Sequence, residues 1–380
     1  MEYKRLGDIA TYINGYPFKP EDRGLTGLPI IRIQDLTGNS YDLGFYNGNY
    51  PERIEINDGD VLISWSASLG VYIWNNGKAL LNQHIFKVAF DKCEVNKQFF
   101  VYAVQYKLQE MGAKAHGATM KHIVKKDFDN TAIPFPAFEE QEKIAQTMNC
   151  ISRIISDCQQ QLQKLDELVK ARFIELFGDM FLNSKAWKKQ ALDSLADVVS
   201  GITKGRKTKE PQLIEVPYMA VSNVKDGYID WTTVKTIQAT QQEIEQYRLL
   251  PDDVLMTEGG DPDKLGRGAI LKEPLQNCIH QNHIFRVRLN ESLILPAFFE
   301  EYLKHQKAKR YFLGCAKQTT GIASINMRQL KALPVLLPPL ELQEQFAAFV
   351  EQTDKSKVAV QKALDEAQLL FDSLMQKYFG

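Results

Sequence analysis

Several polar segments of this 380-residue chain could bind a ligand through charge and hydrogen bonds. The densest basic run is KGRKTK (204–209), whose lysines and arginine could hold phosphate groups. The segment SWSAS (64–68) and the triplets NQH (82–84) and QNH (281–283) carry donors and acceptors that could contact base edges. A solvated loop is the alternative for the basic run. For the two triplets we favour hydrogen bonds that position a loop.

Motifs for catalysis are missing from the sequence. It contains neither N-P-P-[YF] nor D-P-P-Y, which would indicate an adenine-methyltransferase pocket, and no G-x-x-x-x-G-K-[ST] phosphate loop. Pro251-Asp252 and Pro262-Asp263 could begin a nuclease motif, but no (D/E)-x-K follows either pair. His280 and His283 have the spacing of metal ligands without a carboxylate or cysteine that completes a zinc site. We therefore predict a non-catalytic protein without a metal site.

Composition limits the class of protein. The formal net charge of −1 gives no overall positive field, so binding of DNA would depend on local patches. The five cysteines form no C-x-x-C pair, as is typical of reduced thiols in the cytosol. The sequence has no signal peptide and no apolar run of about 18 residues. We expect a cytoplasmic protein with no membrane association and, at this length, two domains.

The chain repeats itself with a period of about 200 residues. Segment 133–178 begins IPFPAFEEQEKI and ends ELFG, and it aligns without a gap to 335–380, which begins VLLPPLELQEQF and ends KYFG. In this alignment Gln141 matches Gln343. Looser matches precede both blocks: 6–15 with 192–201, 28–34 with 216–222, 58–63 with 251–256, and 82–88 with 281–287. The predicted divisions are two variable modules, 1–135 and 181–337, and two constant segments, 136–180 and 338–380.

Each constant segment is predicted to form one long helix. Residues 138–176 contain neither proline nor glycine, and apolar residues recur at heptad spacing. In the second copy Thr353 and Lys357 interrupt the stripe. A single stripe would equally fit a helix packed on its own domain, but two copies of equal length favour an antiparallel pair related by a two-fold axis. The expected interface residues are Ile144, Ile151, Ile155, Leu162, Leu165 and Val169 in the first helix and Phe346, Val350, Val360, Leu364 and Phe371 in the second.

Each variable module alternates short runs of β-branched and aromatic residues with turn signals, and a helical segment follows. The predicted strands are 30–33, 61–64, 71–74 and 85–88, then 218–221, 254–257, 268–271 and 284–288. The predicted helices are 97–111 and 296–313. This pattern indicates an α+β fold: two modules, each a bent β-sheet with helices, separated by two long antiparallel coiled-coil helices in an internal two-fold repeat.

Short motifs recur in the same order in both halves. They are EEQEKI (139–144) with ELQEQF (341–346), GDVLIS (59–64), NQHIF (82–86), and GATMKHI (117–123) with GIASINM (321–327). In this order they resemble the specificity subunits of type I restriction–modification systems, and the resemblance covers essentially the whole chain. It implies that each module is a target-recognition domain reading half of a bipartite site in double-stranded DNA.

The resemblance also implies which polar residues contact DNA, since lysine, arginine, asparagine, glutamine and hydroxyl groups supply most such contacts. In the first module the candidates are Lys19, Arg23, Ser64, Trp65, Ser66, Ser68, Asn82, Gln83, Lys114 and Lys121. In the second they are Lys204, Arg206, Lys207, Lys209, Lys264, Arg267, Gln281, Asn282, Lys317 and Gln318. Trp65 could equally be a core residue.

Finally, the resemblance implies the partners. The helices would dock two methyltransferase subunits, and restriction subunits would join the full complex. S-adenosylmethionine (SAM), ATP and Mg²⁺ are expected on those partners, so this chain needs no cofactor. Two other functions remain open. One is a coiled-coil scaffold whose modules bind proteins, which the near-neutral charge permits. The other is the detached specificity half of a single-chain restriction–methylation enzyme.

Overall fold

The computed structural model describes residues 2–39, 42–114, 123–206, 212–261, 265–319 and 321–380. The chain divides into two compact units. Unit 1 comprises Met1–Gln160 and Gln361–Gly380, and unit 2 comprises Gln161–Val360. Each unit therefore contains one variable module together with one half of each long helix. Among the described residues, no helix combines the length and the apolar character needed to cross a bilayer.

The described residues of unit 1 form three sheets and several helices. Its strands are β1 (Tyr3–Arg5), β2 (Thr11–Asn14), β3 (Leu28–Ile31), β4 (Phe45–Tyr46), β5 (Glu55–Ile56), β6 (Val61–Ser64), β7 (Gly70–Ile73), β8 (Ala79–Leu81), β9 (Ile85–Ala89) and β10 (Ala132–Pro134). Its helices are α1 (Leu6–Ile9), α2 (Ile33–Leu36), α3 (Lys97–Lys114), α4 (Lys125–Asn130) and the first part of α5 (Phe138–Phe177). The sheet orders are β1-β10, β2-β9-β6-β7 and β4-β3-β8-β5.

The described residues of unit 2 form four sheets, three of which correspond to sheets of unit 1. Its strands are β11 (Lys188–Ala191), β12 (Ala196–Ser200), β13 (Ile214–Met219), β14 (Lys235–Ala239), β15 (Val254–Thr257), β16 (Gly259–Gly260), β17 (Gly268–Ile270), β18 (Ile279–His280), β19 (Ile284–Leu289), β20 (Lys317–Thr319), β21 (Ile322–Ser324) and β22 (Pro334–Leu337). Its helices are α6 (Gln241–Tyr247), α7 (Pro296–Lys304), α8 (Gln306–Cys315), α9 (Met327–Lys331) and the first part of α10 (Leu340–Phe379). The sheet orders are β11-β22, β12-β19-β15-β17, β14-β13-β18 and β16-β21-β20.

The four-stranded sheet that begins with β2 or β12 has the same register in both units. Val61 of β6 pairs with Val88 of β9, and Val254 of β15 pairs with Val287 of β19. All four residues of β6 and all four of β15 are buried. Strands buried on both faces need apolar residues at successive positions, which explains why these two runs do not alternate with polar residues. The internal repeat predicted from the sequence is therefore a repeat of structure.

A buried glutamine near the start of each long helix ties that helix to its module. In unit 1 the side-chain oxygen of Gln141 accepts the N–H of Asn96, just before α3, at 3.0 Å. In unit 2 the side-chain oxygen of Gln343 accepts the N–H of Leu295, just before α7, at 2.9 Å. Each amide also donates to a nearby carbonyl at 2.9 Å. The two glutamines that match in the sequence therefore mark a hydrogen bond at the N-terminus of the module helix, which is α3 in unit 1 and α7 in unit 2.

The long helices α5 and α10 are 40 residues each. In unit 1, Met148 near the start of α5 belongs to the same core as Phe379 at the end of α10. In unit 2, the rings of Phe173 and Phe177 near the end of α5 lie 5.4 and 5.6 Å from the ring of Phe346 near the start of α10. Each unit therefore joins the start of one helix to the end of the other. This confirms the predicted antiparallel pair.

The residues of the predicted seam that are fully buried lie toward the ends of the helix pair and not in its middle. Buried members are Ile144, Ile151, Val169 and Phe346, and half-buried members are Ile155, Leu162, Leu165, Val350, Val360, Leu364 and Phe371. Both polar interruptions have partners: the Thr353 hydroxyl donates to the Phe349 carbonyl at 2.8 Å, and the Lys357 ammonium lies 2.7 Å from Asp166 on the facing helix.

The helix predicted over 296–313 is instead two helices, α7 and α8. His305 separates them in an extended conformation, with φ −72° and ψ 147°, and its Nδ1 accepts the N–H of Lys307 at 3.3 Å. The side chain therefore caps a new helix instead of continuing the old one. The strand predicted at 218–221 lies earlier, at β13, because Val221 begins a short 3-10 turn.

Candidate nucleic-acid interface

Three separate segments meet at one end of the four-stranded sheet in unit 1. They are the turn after β6, the loop before β9, and the segment at Ile123, two residues before α4. The Trp65 N–H donates to the His84 carbonyl at 3.3 Å, and the Ile123 N–H donates to the Trp65 carbonyl at 3.0 Å. We call this place the loop junction of unit 1. It brings two of the polar segments singled out in the sequence side by side.

Unit 2 has a loop junction with the same hydrogen bonds. The Glu258 N–H donates to the His283 carbonyl at 3.0 Å, and the Ile325 N–H donates to the Glu258 carbonyl at 2.9 Å. Here β16 pairs with β21, which places the β20-β21 hairpin next to the junction. The exposed Lys317 of β20 is part of this hairpin. Each unit thus forms one polar edge from segments far apart in the chain.

The serine-rich turn of unit 1 is more closed than the sequence indicates. Ser64 is fully buried, and its hydroxyl donates to the Ser68 carbonyl at 2.5 Å. Ser66 is also buried, and Ala67 has φ +57°, which reverses the chain and leaves Ser68 exposed. Ser64 and Ser66 were candidates for DNA contact, but their burial gives them no access to a ligand. They close the turn, and Ser68 is the serine that faces outward.

Trp65 packs against neighbouring rings. Its ring stacks on Phe86 at 5.5 Å with an interplanar angle of 24°, and it meets the edge of His84 at 5.0 Å. The side chain is half-buried. This packing supports the alternative of a core residue that shapes the junction.

The NQH and QNH triplets hold their loops through the backbone. The N–H groups of Asn82 and Gln83 each donate to a carbonyl of another segment at 3.0 Å, and so do the N–H groups of Gln281 and Asn282. The Asn82 side-chain oxygen accepts the Gln83 N–H at 2.8 Å. The Gln281 oxygen accepts the Val221 N–H at 3.3 Å. These contacts fit the favoured interpretation that the triplets position a loop.

A glycine packs closely against the backbone of each triplet loop. A Cβ atom at Gly15 would lie 2.0 Å from the carbonyl oxygen of Asn82, and one at Gly201 would lie 1.9 Å from that of His280. No side chain fits at such distances, so both positions require glycine. The match of these two glycines in the sequence repeat therefore has a steric cause.

The basic candidates of unit 1 differ in exposure and in how closely each is paired with a carboxylate. Lys19 is exposed, with its ammonium 3.9 Å from Glu21. The Arg23 guanidinium bonds Asp42 at 3.1 Å and is partly buried. Lys114 ends α3, and the structure does not describe its side chain; Lys121 lies outside the described residues. Lys19 is thus the more accessible cation of the two whose side chains are described.

In unit 2 the basic run 204–209 is described only at its start. Lys204 is exposed in the turn after β12. Arg206 is not free: its Nε donates to Glu243 at 2.5 Å, and this bond lowers the pKa of the Glu243 carboxyl. Arg267 is half-buried just before β17. Outside the described residues or side chains lie Lys207, Lys209, Lys264 and the side chain of Gln318.

The two histidines with metal-like spacing have different surroundings. His280 is buried, its Nδ1 lies 3.1 Å from the Ile284 carbonyl, and burial lowers its pKa to about 4. The Nδ1 of His283 bonds the Glu258 carboxylate at 2.5 Å at the loop junction. In the part of the chain that the structure describes, no three histidine, cysteine or acidic side chains form a group that could hold a metal.

Ion pairs inside the sheets were not predicted. In unit 1 the Lys87 ammonium lies 2.9 Å from Asp60. In unit 2 the Arg288 guanidinium bonds both oxygens of the buried Asp253 at 2.8 Å, and the adjacent Arg286 bonds Asp197. The aligned segments 58–63 and 251–256 did contain the signal, because Asp60 and Asp253 occupy matching positions.

Comparisons with known proteins give matches to both modules. A family model described as "Type I restriction modification DNA specificity domain" matches residues 1–167 and 184–367. The EcoBI specificity subunit of Escherichia coli is 22% identical, over 98% of this chain and 84% of that protein. The EcoKI specificity subunit of Escherichia coli K12 is 23% identical, over 98% of this chain and 87% of that protein.

Solved structures show the same fold. The S subunit of a type I restriction–modification system from M. genitalium superposes with a TM-score of 0.59 at 17% identity, covering 100% of this chain and 96% of that chain. A chain from a structure on complex assembly and conformational transition of the type I R-M system gives a TM-score of 0.58 at 16% identity, covering 99% of this chain and 97% of that chain.

Proposed function

Since the chain belongs to the family of type I restriction–modification DNA specificity domains, with both modules matched, we propose that each module reads one half of a bipartite DNA site. The observation that supports this most directly is the duplicated loop junction. The hydrogen bonds from Trp65 to His84 and from Glu258 to His283 hold equivalent edges of equivalent sheets. A protein with two such edges can present two reading surfaces to one duplex.

The chain itself supplies recognition, and catalysis belongs to partner subunits. The sequence lacks the methyltransferase and phosphate-loop motifs. The relatives named above are specificity subunits and not fused enzymes, which favours a separate subunit over a detached half of a single-chain enzyme. SAM, ATP and Mg²⁺ would accordingly bind the methyltransferase and restriction subunits.

The long helices are the proposed docking elements for two methyltransferase subunits. Large apolar side chains point outward from them: Ile154 and Ile174 on α5 are 44% and 55% exposed, and Leu369 and Leu370 on α10 are 73% and 50% exposed. These exposed apolar side chains support the proposal, because a partner that covers them would remove them from water. The same helices would fix the distance between half-sites.

A module exchange tests this function. The chain is combined with its methyltransferase subunits, and the methylated sequence is read from plasmid DNA before and after residues 1–135 are replaced by the module of another family member. We expect a bipartite motif of which only one half changes. If both halves change, the modules do not read independently. The isolated chain, as a control, should not turn over SAM.

A further inference from the structure

Basic side chains of α8 in unit 2 pack against the loop that follows α5. They are not among the candidates that the sequence indicated. The Lys307 ammonium donates to the Met180 carbonyl of this loop at 2.9 Å. The Arg310 guanidinium lies over the Phe181 ring, 4.5 Å from the ring centre, and Arg310 is exposed. The fold thus places cations from two distant segments at one surface of the module.

The charges of these side chains are not neutralised within the module. In the part of the chain that the structure describes, no carboxylate forms an ion pair with Lys189 of β11, with Lys307 or with Arg310. Burial lowers the pKa of the Lys307 ammonium, and the neighbouring Lys189 lowers it further, whereas Asp179 raises it. Like charges that the fold holds near each other favour binding of an anionic ligand.

The basic face of α8 continues to the loop junction of unit 2. This helix leads directly into β20, which begins at the exposed Lys317. Lys317 pairs with Ser324, and Ser324 also pairs with Gly259, next to the junction residue Glu258. The 10 residues of α8 span about 15 Å at 1.5 Å per residue. This length corresponds to roughly four base pairs of duplex at 3.4 Å per pair.

The matching part of unit 1 does not carry these charges. The buried glutamines bond equivalent N–H groups just before α3 and α7, which aligns the module helices. In this alignment Leu108 of α3 matches Lys307. Met111 of α3 matches Arg310. Both apolar side chains of α3 pack in the core of unit 1. The basic face of α8 is therefore a property of unit 2 and not a consequence of the repeated fold.

We propose that Lys307 and Arg310, with Lys189 beside them, bind the phosphate backbone of duplex DNA just beyond the half-site of unit 2. Contacts of lysine and arginine with phosphates position a protein on the duplex without reading its sequence. Continuity with the loop junction favours DNA over an acidic protein surface. The inference rests on the proposed reading of DNA by the modules. It adds a contact outside the bases that are read, on one side of the site.

The test measures the affinity of the full chain, assembled with its methyltransferase subunits, for a labelled duplex that contains the methylated motif. Lys307→Gln and Arg310→Gln should each weaken binding about fivefold and reduce the slope of log affinity against log salt by about 1. Arg310→Lys keeps the charge and should bind like the unchanged protein. The matched control Lys272→Gln removes an exposed charge at the opposite end of β17 from the loop junction and should leave affinity unchanged.

Shortening the duplex locates the contact. Removal of the base pairs just outside the half-site of unit 2 should weaken binding of the unchanged protein. The same removal should have little effect on the double variant of Lys307→Gln and Arg310→Gln, because the phosphates that it would lose are no longer bound. Removal on the side of unit 1 should affect both proteins equally. The methylated sequence should be the same for all variants, since phosphate contacts carry no sequence information.

The inference is overturned if Lys272→Gln weakens binding as much as Arg310→Gln, since overall charge would then be the cause. A changed methylated sequence would also overturn it, because the side chains would then read bases. So would weaker assembly with the methyltransferase subunits at unchanged DNA affinity, since the ligand would then be an acidic protein surface. The salt slope can be measured on a duplex of unrelated sequence, so failure of the proposed function in the module exchange is distinguishable from failure of this inference.

Discussion

Units 1 and 2 share a scaffold and differ in the side chains placed on it. Both have the same strand order in the main sheet, a glycine against the triplet loop, and a buried glutamine that caps the module helix. At the loop junction, however, unit 1 has Trp65 against His84, whereas unit 2 has Glu258 bonded to His283. The same backbone hydrogen bonds form the junction in both units, whereas the side chains at the junction differ. Two reading edges of different chemistry suit a site whose halves differ in sequence.

The interiors differ in the same way. In the main sheet, the Lys87–Asp60 pair of unit 1 is partly exposed, whereas unit 2 has the buried Asp253 paired with Arg288 and the buried Arg286 paired with Asp197. At the position that matches Leu81 of unit 1, unit 2 has the buried His280. Unit 2 therefore depends more on buried polar groups, and its stability should respond more strongly to mutation and to pH.

The largest effect is expected for Asp253→Ala. The substitution leaves Arg288 without its carboxylate and removes the acceptor of the Leu250 N–H, which now donates at 2.7 Å. Breaking a buried pair in this way should lower the free energy of unfolding of unit 2 by about 3 kcal/mol. The matched variant Asp60→Ala should cost about 1 kcal/mol, because the Lys87 pair is partly solvated. Urea denaturation followed by hydrogen exchange in each unit measures both, and equal losses would contradict the comparison.

Acid should destabilise unit 2 through His280. Its pKa is lowered to about 4 in the folded state, against 6.5 for the free side chain. The unfolded state therefore takes up a proton first as the pH falls, so stability is complete above pH 6.5 and is lost toward pH 4. The loss should be about 2 kcal/mol between pH 7 and pH 5. His280→Leu, which copies Leu81 of unit 1, should remove this part of the pH dependence of unfolding, and an unchanged pH profile would contradict it.

These residues also show what the sequence could and could not predict. Strands β6 and β15 were predicted to the residue, because continuous apolar runs between turn signals leave little choice. The long helices follow from heptad spacing without proline or glycine. The break at His305 depends on a side-chain cap, and the burial of Ser64 depends on the positive φ of Ala67. Neither has a periodic signal. The DNA-contact set stays a prediction, with its polar segments located but its base contacts untested.

A smaller effect is expected at the loop junction of unit 2. Glu258→Gln removes a negative charge from the surface proposed to meet phosphates, so affinity for duplex DNA should rise about fivefold, close to 1 kcal/mol. The control Glu366→Gln removes an exposed charge from α10 far along the chain and should not change affinity. Binding is measured at fixed salt on duplexes that vary one half-site at a time. A fall in affinity confined to one base position would instead indicate that Glu258 reads that base.

The smallest effect tests the helix pair, where Lys357 of α10 matches Ile155 of α5 in the repeat. Lys357→Ile loses the ion pair with Asp166, whose side chain is 62% exposed, and gains half-buried apolar surface. Exposed pairs contribute about 0–1 kcal/mol, so the net change in unfolding free energy should stay within about 0.5 kcal/mol. The reverse change, Ile155→Lys, has no equivalent carboxylate, because the residue that matches Asp166 is Gln368. It should cost about 1 kcal/mol or more, since it removes apolar contacts and places an unpaired ammonium in the seam. If the two variants had equal effects in thermal unfolding, the partner of Lys357 would be irrelevant and the two halves of the seam would be interchangeable.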